Sequence, residues 1–140
     1  MNVFPFLTLK SETKYLLSDD TVRQGIEKMD HYRFSTIPIL DDQGRYLGTL
    51  SEGDLLHYIH ATSDFQLRKG EDVLISSLDR RRSYKSLSMD STLDERVNLA
   101  MEQNFIPVVD DRKVFMGIIR RRTILEFFRG QLKDSLEEVL

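Results

Sequence analysis

The sequence predicts an α/β protein made of two β-α-β-β-α repeats related by an internal pseudo-two-fold. Three observations carry that expectation. The stretch Ile37–Leu56 aligns without a gap on Ile106–Leu125 at a constant offset of 69 residues. Pro38 then falls on Pro107, Asp41-Asp42 on Asp110-Asp111, Tyr46 on Phe115 and Gly48 on Gly117. Upstream, Lys14-Tyr15-Leu16 matches Lys85-Ser86-Leu87, and Asp19-Asp20-Thr21 matches Asp90-Ser91-Thr92, at an offset of 71. A registered repeat names the structural unit before any single element is assigned. Finally, each copy is too small to cover both faces of its own three-stranded sheet, so the two are expected to pack sheet to sheet.

The elements follow in order. Residues 1–13 form an arm whose Phe4, Phe6, Leu7 and Leu9 are too apolar to remain in water and should pack on the body. Lys14–Leu17 reads as a short strand. Asp19 or Asp20 then caps a helix opening at Thr21, with Val22, Ile26 and Met29 along one face. His31–Phe34 ends that helix, and the change of offset places a two-residue deletion in the loop near His31–Arg33. Ile37–Leu40 and Tyr46–Leu50 are strands joined by the turn Asp41-Asp42-Gln43-Gly44, where Gly44 can take positive φ. Ser51 caps the next helix, with Asp54 at the spacing of a capping-box partner.

Between the copies, Val73, Leu74 and Leu78 lie at helical spacing after Glu71-Asp72, which predicts a short connecting helix. Arg80-Arg81-Arg82 reads as a solvated linker. In the second copy Leu93, Val97, Ala100 and Met101 share a helical face. The last helix runs from Arg121 to Arg129 and is expected to break at Gly130, leaving an acidic amphipathic tail. The organisation is therefore 1–62 (arm and first repeat), 63–82 (connecting segment with a short helix), 83–130 (second repeat) and 131–140 (C-terminal tail).

Composition narrows the function. Of 140 residues, 40% are hydrophobic and 31% charged, as in an ordinary soluble globular protein. A net charge of -3 argues against a general nucleic-acid-binding surface. There is no cysteine, hence no disulfide framework and no thiolate metal site. No apolar run is long enough for a membrane helix, and the N-terminus lacks the pattern of a signal peptide, so a cytoplasmic protein is expected. His57 and His60 are three apart on a helix, but no carboxylate spacing supports a metal site. No nucleophile elbow or phosphate-binding lysine loop appears, so no enzyme and no resident cofactor are expected.

The doubled pattern, an Ile-Pro-Ile strand, Asp-Asp-x-Gly, then Gly48-Thr49-Leu50-Ser51-Glu52-Gly53-Asp54-Leu55, resembles the tandem cystathionine-β-synthase (CBS) domain pair, or Bateman module. The likeness spans about Leu9 to Arg129. The Arg121-Arg122 pair is also similar to the small stand-alone bacterial pairs that include cyclic di-AMP binders. The resemblance implies a non-catalytic regulatory module that binds an adenosine-containing ligand (AMP, ADP, ATP or a cyclic dinucleotide), forms a homodimer and signals to a separate effector protein. Carried over by position, it implies one ligand set of Lys14, Tyr15, Ser35, Thr36 and Ile37 with Arg120, Arg121, Arg122 and Thr123. It implies a second of Lys85, Ser86, Asn104, Phe105 and Ile106 with Ser51 and Asp54. The competing expectation is a scaffold that keeps the fold only to dimerise, without ligand.

The residues themselves support part of this. Ser51 places a hydroxyl beside free backbone N–H groups at a helix start, an anion-binding arrangement. Asp54, one turn on, could accept two ribose hydroxyls. The same two residues equally describe a plain helix cap. In the second copy Arg120 replaces Ser51 and Thr123 replaces Asp54. Losing the carboxylate weakens the ribose grip, and three arginines offer forked donors for phosphate. Cations at a helix start oppose the helix dipole, which points to an anionic partner.

Overall fold

A computed structural model of the protein describes residues 3–62, 71–80 and 83–139. It contains strands β1 (Leu7–Leu9), β2 (Leu16–Leu17), β3 (Thr36–Leu40), β4 (Tyr46–Ser51), β5 (Leu87–Ser88), β6 (Phe105–Val109) and β7 (Phe115–Arg120). Its helices are α1 (Val22–Tyr32), α2 (Glu52–Ala61), α3 (Leu93–Ala100) and α4 (Arg121–Val139). Two sheets form, ordered β2-β3-β4 and β1-β7-β6-β5. The three strands of each repeat share one sheet, as the two-copy α/β reading expects, and the arm adds β1 to the second, which is four-stranded where three strands were expected. The chain clusters into two compact units, one holding residues 14–84 with 112–115, the other residues 1–13, 85–111 and 116–140.

In the first unit β2 runs parallel to β3, which pairs antiparallel with β4. Leu16, Val22, Met29, Ile37, Ile39, Leu50, Leu55 and Ile75 close a core of their own. Val22 and Met29 are the buried apolar positions expected on α1. The cap differs from expectation. Thr21, not Asp19 or Asp20, is the N-cap: its amide donates to Gln24 Oε1 at 2.8 Å and its hydroxyl accepts from the Gln24 amide at 3.2 Å. Asp20 instead accepts the Leu17 amide at 2.8 Å, holding the turn before the helix. In the connecting segment a 3-10 turn, Ile75–Ser77, stands where a short α-helix was expected. Ile75 is fully buried under α1, with Val73 and Leu78 partly buried against the same core, while Leu74 is 43% exposed. Residues 63–70 and Arg81-Arg82 of that segment lie outside the described residues.

In the second unit β5 runs parallel to β6. The core comprises Val3, Phe6, Ala100, Ile106, Val108, Ile119 and Ile124. Thr92 caps α3 through Glu95 as Thr21 caps α1 through Gln24. The N-terminal arm belongs here rather than with the first repeat, because β1 pairs antiparallel with β7, Leu9 facing Gly117. The two-residue difference, expected in the loop, is the net of a helix three residues shorter, 11 in α1 and 8 in α3, and a following loop one residue longer, 33–35 against 101–104. Met101, expected on the buried face of α3, lies just past the helix and is 77% exposed. Arg96 of the same helix is completely buried. Its Nε reaches the Ser91 hydroxyl at 3.2 Å, Nη2 donates to the Ser91 carbonyl, and the guanidinium lies 5.6 Å from the centre of the Phe6 ring. Burial lowers the pKa of this guanidinium, opposed by the neighbouring Glu95 charge.

The expected break at Gly130 is absent, and α4 runs unbroken to Val139. A mid-helix glycine costs only about 1 kcal/mol against alanine. Gly130 is exposed and has nothing within 4 Å of where a Cβ would sit, so no close approach or special φ was required of it.

Candidate functional site

Gly48 and Gly117 explain how the segment leading into each repeat is held. Their φ values are +137° and +151°, a region that favours glycine. A Cβ on Gly117 would lie 2.1 Å from the Thr8 carbonyl oxygen of the arm. A Cβ on Gly48 would lie 2.1 Å from the Ser83 hydroxyl and 2.6 Å from Nη1 of Arg80. So β7 is covered by the arm that leads into the first repeat, and β4 by the linker that leads into the second. The Thr49 amide donates to the Ser83 hydroxyl at 2.9 Å, and the Tyr84 amide donates to the Thr49 hydroxyl at 2.9 Å. The Tyr46 hydroxyl donates to the Tyr84 carbonyl at 2.5 Å. Burial pushes that phenol well above its ordinary pKa, so it stays a donor. The turn before β7 is tied to the first hairpin in turn, Tyr46 N to Lys113 O at 3.0 Å and Phe115 N to Gly44 O at 2.9 Å.

These ties place the strand residues expected at a site. In the first unit Lys14 is exposed, with its ammonium 4.9 Å from the Tyr32 ring centre. Lys28 Nζ holds the Tyr15 carbonyl at 2.8 Å, and the Tyr15 ring is half-buried. Ser35 is exposed, Thr36 is partly buried and Ile37 is fully buried in the core. Thr36 pairs with Ser51 across β3 and β4, and the Glu52 amide donates to the Ser35 carbonyl at 2.9 Å. The start of α2 is thereby fixed against the start of β3.

At that helix start the capping box is complete. The Asp54 amide donates to the Ser51 hydroxyl at 3.1 Å, and the Ser51 amide donates to Oδ2 of Asp54 at 2.9 Å. Asp54 is 5% exposed. Aspartate is shorter than the usual glutamate or glutamine, yet both arms close.

The second unit repeats the frame with other chemistry. The Arg121 amide donates to the Asn104 carbonyl at 2.9 Å, the counterpart of Glu52 and Ser35. Arg121 Nε donates to the Ala100 carbonyl at 2.6 Å, tying α4 to the end of α3. Arg122 Nε reaches Glu126 at 2.8 Å, one turn on. Arg120 is exposed at the end of β7, and Thr123 is partly buried. Phe105 and Ile106 are buried, while Asn104 and Lys85 are exposed. Ser86 is partly buried. Gln103, which the sequence did not single out, organises this strand set. Its Oε1 accepts the Lys85 amide at 2.9 Å and its Nε2 donates to the Lys85 carbonyl at 3.0 Å and the Phe105 carbonyl at 3.2 Å. Gln103 aligns with Phe34, an apolar residue, so the comparison of the repeats draws no attention to a polar role there.

Each ligand set expected from the resemblance is thus divided between the two units. The bonds above link strand and helix start within one unit: Ser35 and Thr36 with Ser51 and Glu52, Asn104 with Arg121. Among the described residues no group of three or more His, Cys, Asp or Glu is arranged to hold a metal ion. No helix there is long and apolar enough to cross a membrane.

Two sheets, each with a helix start tied by a backbone hydrogen bond to the residue before its apolar-proline strand, define a tandem repeat module. The CBS domain family matches residues 9–61 and 75–130, and the chain belongs to that family. Over 108 residues it is 27% identical to an inosine-5'-monophosphate dehydrogenase from Methanocaldococcus jannaschii. That match takes in 77% of this chain but only 20% of the enzyme. Among solved structures, CbpB in complex with c-di-AMP superposes with a TM-score of 0.86 at 19% identity, covering 99% of this chain and 91% of that one. CBSX2 in complex with AMP gives a TM-score of 0.69 at 19% identity, covering 96% and 98%.

Proposed function

We propose that the protein is a regulatory sensor for an adenosine-containing ligand (AMP, ADP, ATP or cyclic di-AMP) that it binds without chemical turnover and without a resident cofactor. The observation that carries this reading is the unequal pair of helix starts on one repeated frame. Ser51 and Asp54 are a hydroxyl and a carboxylate suited to ribose and phosphate; Arg120, Arg121 and Arg122 are phosphate donors. The likeness of the whole fold to proteins solved with c-di-AMP and with AMP supports the ligand class. The ligand sets are those the family resemblance implies, Lys14, Tyr15, Ser35, Thr36 and Ile37 with Arg120–Thr123, and Lys85, Ser86, Asn104, Phe105 and Ile106 with Ser51 and Asp54. The arginine-bearing set favours the ligand with more phosphate. The sensor acts in the cytoplasm as a homodimer and passes its state to an effector protein, which requires differential affinity of the ligand for two states.

Thermal unfolding against a nucleotide panel tests the proposal. A ligand that binds only the folded state raises Tm as its concentration passes Kd. Calorimetry with Arg120→Ala, a residue exposed at the end of β7, should lower affinity for the polyanionic nucleotides by roughly tenfold, the scale of one charge-assisted contact. Unchanged affinity for every nucleotide would remove the arginines from the site.

One observation favours a second reading, a ligand-free scaffold. Ser51, Asp54, Arg121 and Arg122 all have partners inside the fold. A scaffold would show no Tm response to any nucleotide.

A further inference from the structure

The two repeats hold the strand that enters each of them by different means. In the first unit Lys28 reaches from α1, and its ammonium donates to the Tyr15 carbonyl at 2.8 Å. Under the offset of 71 the equivalent of Lys28 is Leu99, whose side chain cannot hydrogen-bond. In the second unit the task passes to Gln103, in the loop after α3. Its backbone amide donates to the Leu99 carbonyl at 2.8 Å, and the residue is only 5% exposed. Phe34, the equivalent of Gln103, has the same backbone anchor, to the Met29 carbonyl at 3.0 Å. Its side chain is an aromatic ring stacked on Tyr32, 5.7 Å between ring centres.

The bonds of the Gln103 side chain fall on main-chain groups of the second ligand set. Nε2 donates to the Lys85 carbonyl at 3.0 Å and to the Phe105 carbonyl at 3.2 Å, which uses both of its hydrogens. Oε1 accepts the Lys85 amide at 2.9 Å. The orientation is fixed by these partners, because the reverse would set the oxygen against two carbonyls. A carboxamide presents an acceptor beside a donor, and so does adenine, a ring nitrogen beside its N6 amino group. The amide and carbonyl of a single residue complement either one. At Lys85 that pair is already filled, by a side chain with the hydrogen-bonding pattern of the base. Lys14 is the equivalent of Lys85 in the first set. Among the described residues no side chain closes in this way on its backbone, and the Lys28 bond falls one residue further on.

Resting on the nucleotide-sensor reading above, we propose that the Gln103 carboxamide is a built-in occupant of the second ligand set. It takes the place of the base at Lys85 and Phe105, and an adenine nucleotide enters that set only by displacing it. The two sets then differ in occupancy as well as in charge, the first filling before the second.

Calorimetric titration of the full chain with AMP, ATP and cyclic di-AMP tests this, with circular dichroism as the control for folding. Gln103→Met is close in volume and has no amide. It should add a binding event, or tighten the weaker one, by at least roughly tenfold, the scale of a displaced hydrogen bond. Gln103→Glu reaches the same result by another route, since its carboxylate is repelled by the two carbonyl oxygens that Nε2 now holds. Adding Asp54→Ala to either variant should weaken the gained event, which assigns it to the second set. Hydrogen exchange gives an independent readout at the Lys85 amide. It is slow in the wild type without nucleotide, fast in Gln103→Met without nucleotide, and slow again in that variant at saturating nucleotide. Equal numbers and affinities of binding events in the wild type and both variants would overturn the occupant and leave the sensor reading standing. A Lys85 amide that stays fast in Gln103→Met with nucleotide bound would do the same. No binding of any of the three nucleotides by any of the three proteins would overturn both.

Discussion

The two repeats share a frame and diverge wherever a side chain is asked for chemistry. At the start of α2, Ser51 and Asp54 close a capping box in which Asp54 is buried and Ser51 partly buried. At the start of α4 the same positions are Arg120 and Thr123, and the anchoring passes to Arg121, which ties the helix to Ala100 and Asn104. The frame needs only a hydrogen-bonded link from strand to helix, and either solution supplies it. What each leaves facing outward is therefore open to change. The same holds for the helices behind the sheets. Gly25 of α1 and Arg96 of α3 stand at equivalent positions under the offset of 71. Gly25 lets Ile75, Leu50 and Leu16 close in, at 3.1 to 3.4 Å from where a Cβ would sit. Arg96 instead fills the corresponding place with its own side chain, under Phe6 of the arm. One repeat seals its core with the connecting segment, the other with the N-terminal arm.

The sharpest way to break this comparison is at the covering glycines. Gly117→Ala sets a Cβ against the Thr8 backbone at a φ that L residues avoid, and should cost about 3 kcal/mol or more. Gly48→Ala meets the ends of Ser83 and Arg80, which can move aside, so it should cost less, about 2 kcal/mol. Urea unfolding of both variants reads the order directly, and equal costs would show that coverage of the two strands is not different in kind.

Next comes Arg96→Ala, which removes a fully buried side chain from between α3 and the arm. It should destabilise by about 2–4 kcal/mol and release the arm to proteolysis before the body unfolds. Protection of the arm unchanged from wild type would remove Arg96 as its seat.

A smaller contrast is expected at the helix starts. Asp54→Ala loses one arm of the box and should cost about 1 kcal/mol, whereas Thr123→Ala, at the equivalent position, makes no such cap and should cost a few tenths. Comparable midpoints for the two variants would mean that the box contributes nothing beyond the shared frame.

The smallest effect lies in the turns. Gly44 takes φ 80°, and its equivalent in the second repeat is Lys113, held at φ 69°. Replacing Lys113 by Gly should relieve that strain, offset by glycine's greater freedom when unfolded, for a net gain under about 1 kcal/mol. A loss of stability would show that the lysine side chain contributes more than its backbone costs.

Much of this was legible beforehand. The gapless offset fixed the two-repeat α/β architecture, because β-hairpins and their flanking helices repeat their apolar spacing whatever their surfaces do. The Ser51–Asp54 pair and its replacement by Arg120 and Thr123 were legible for the same reason: they are local, within one helical turn. What failed were choices made between local signals of similar strength. Thr21 rather than Asp20 became the cap because Gln24, three residues on, could close the box, while Asp20 was drawn to the Leu17 amide. Gly130 looked like a stop, yet exposed helix tolerates it at small cost.

The sequence by itself determined the repeats, their hairpins, the burial pattern of α1 and the chemical inequality of the two helix starts, since all of these rest on neighbours within a few residues. Only the tertiary structure decided which segment covers which strand, why Arg96 is buried and Met101 is not, and how Gln103 holds Lys85 to Phe105. Those outcomes depend on chain brought in from tens of residues away, where no periodicity reaches.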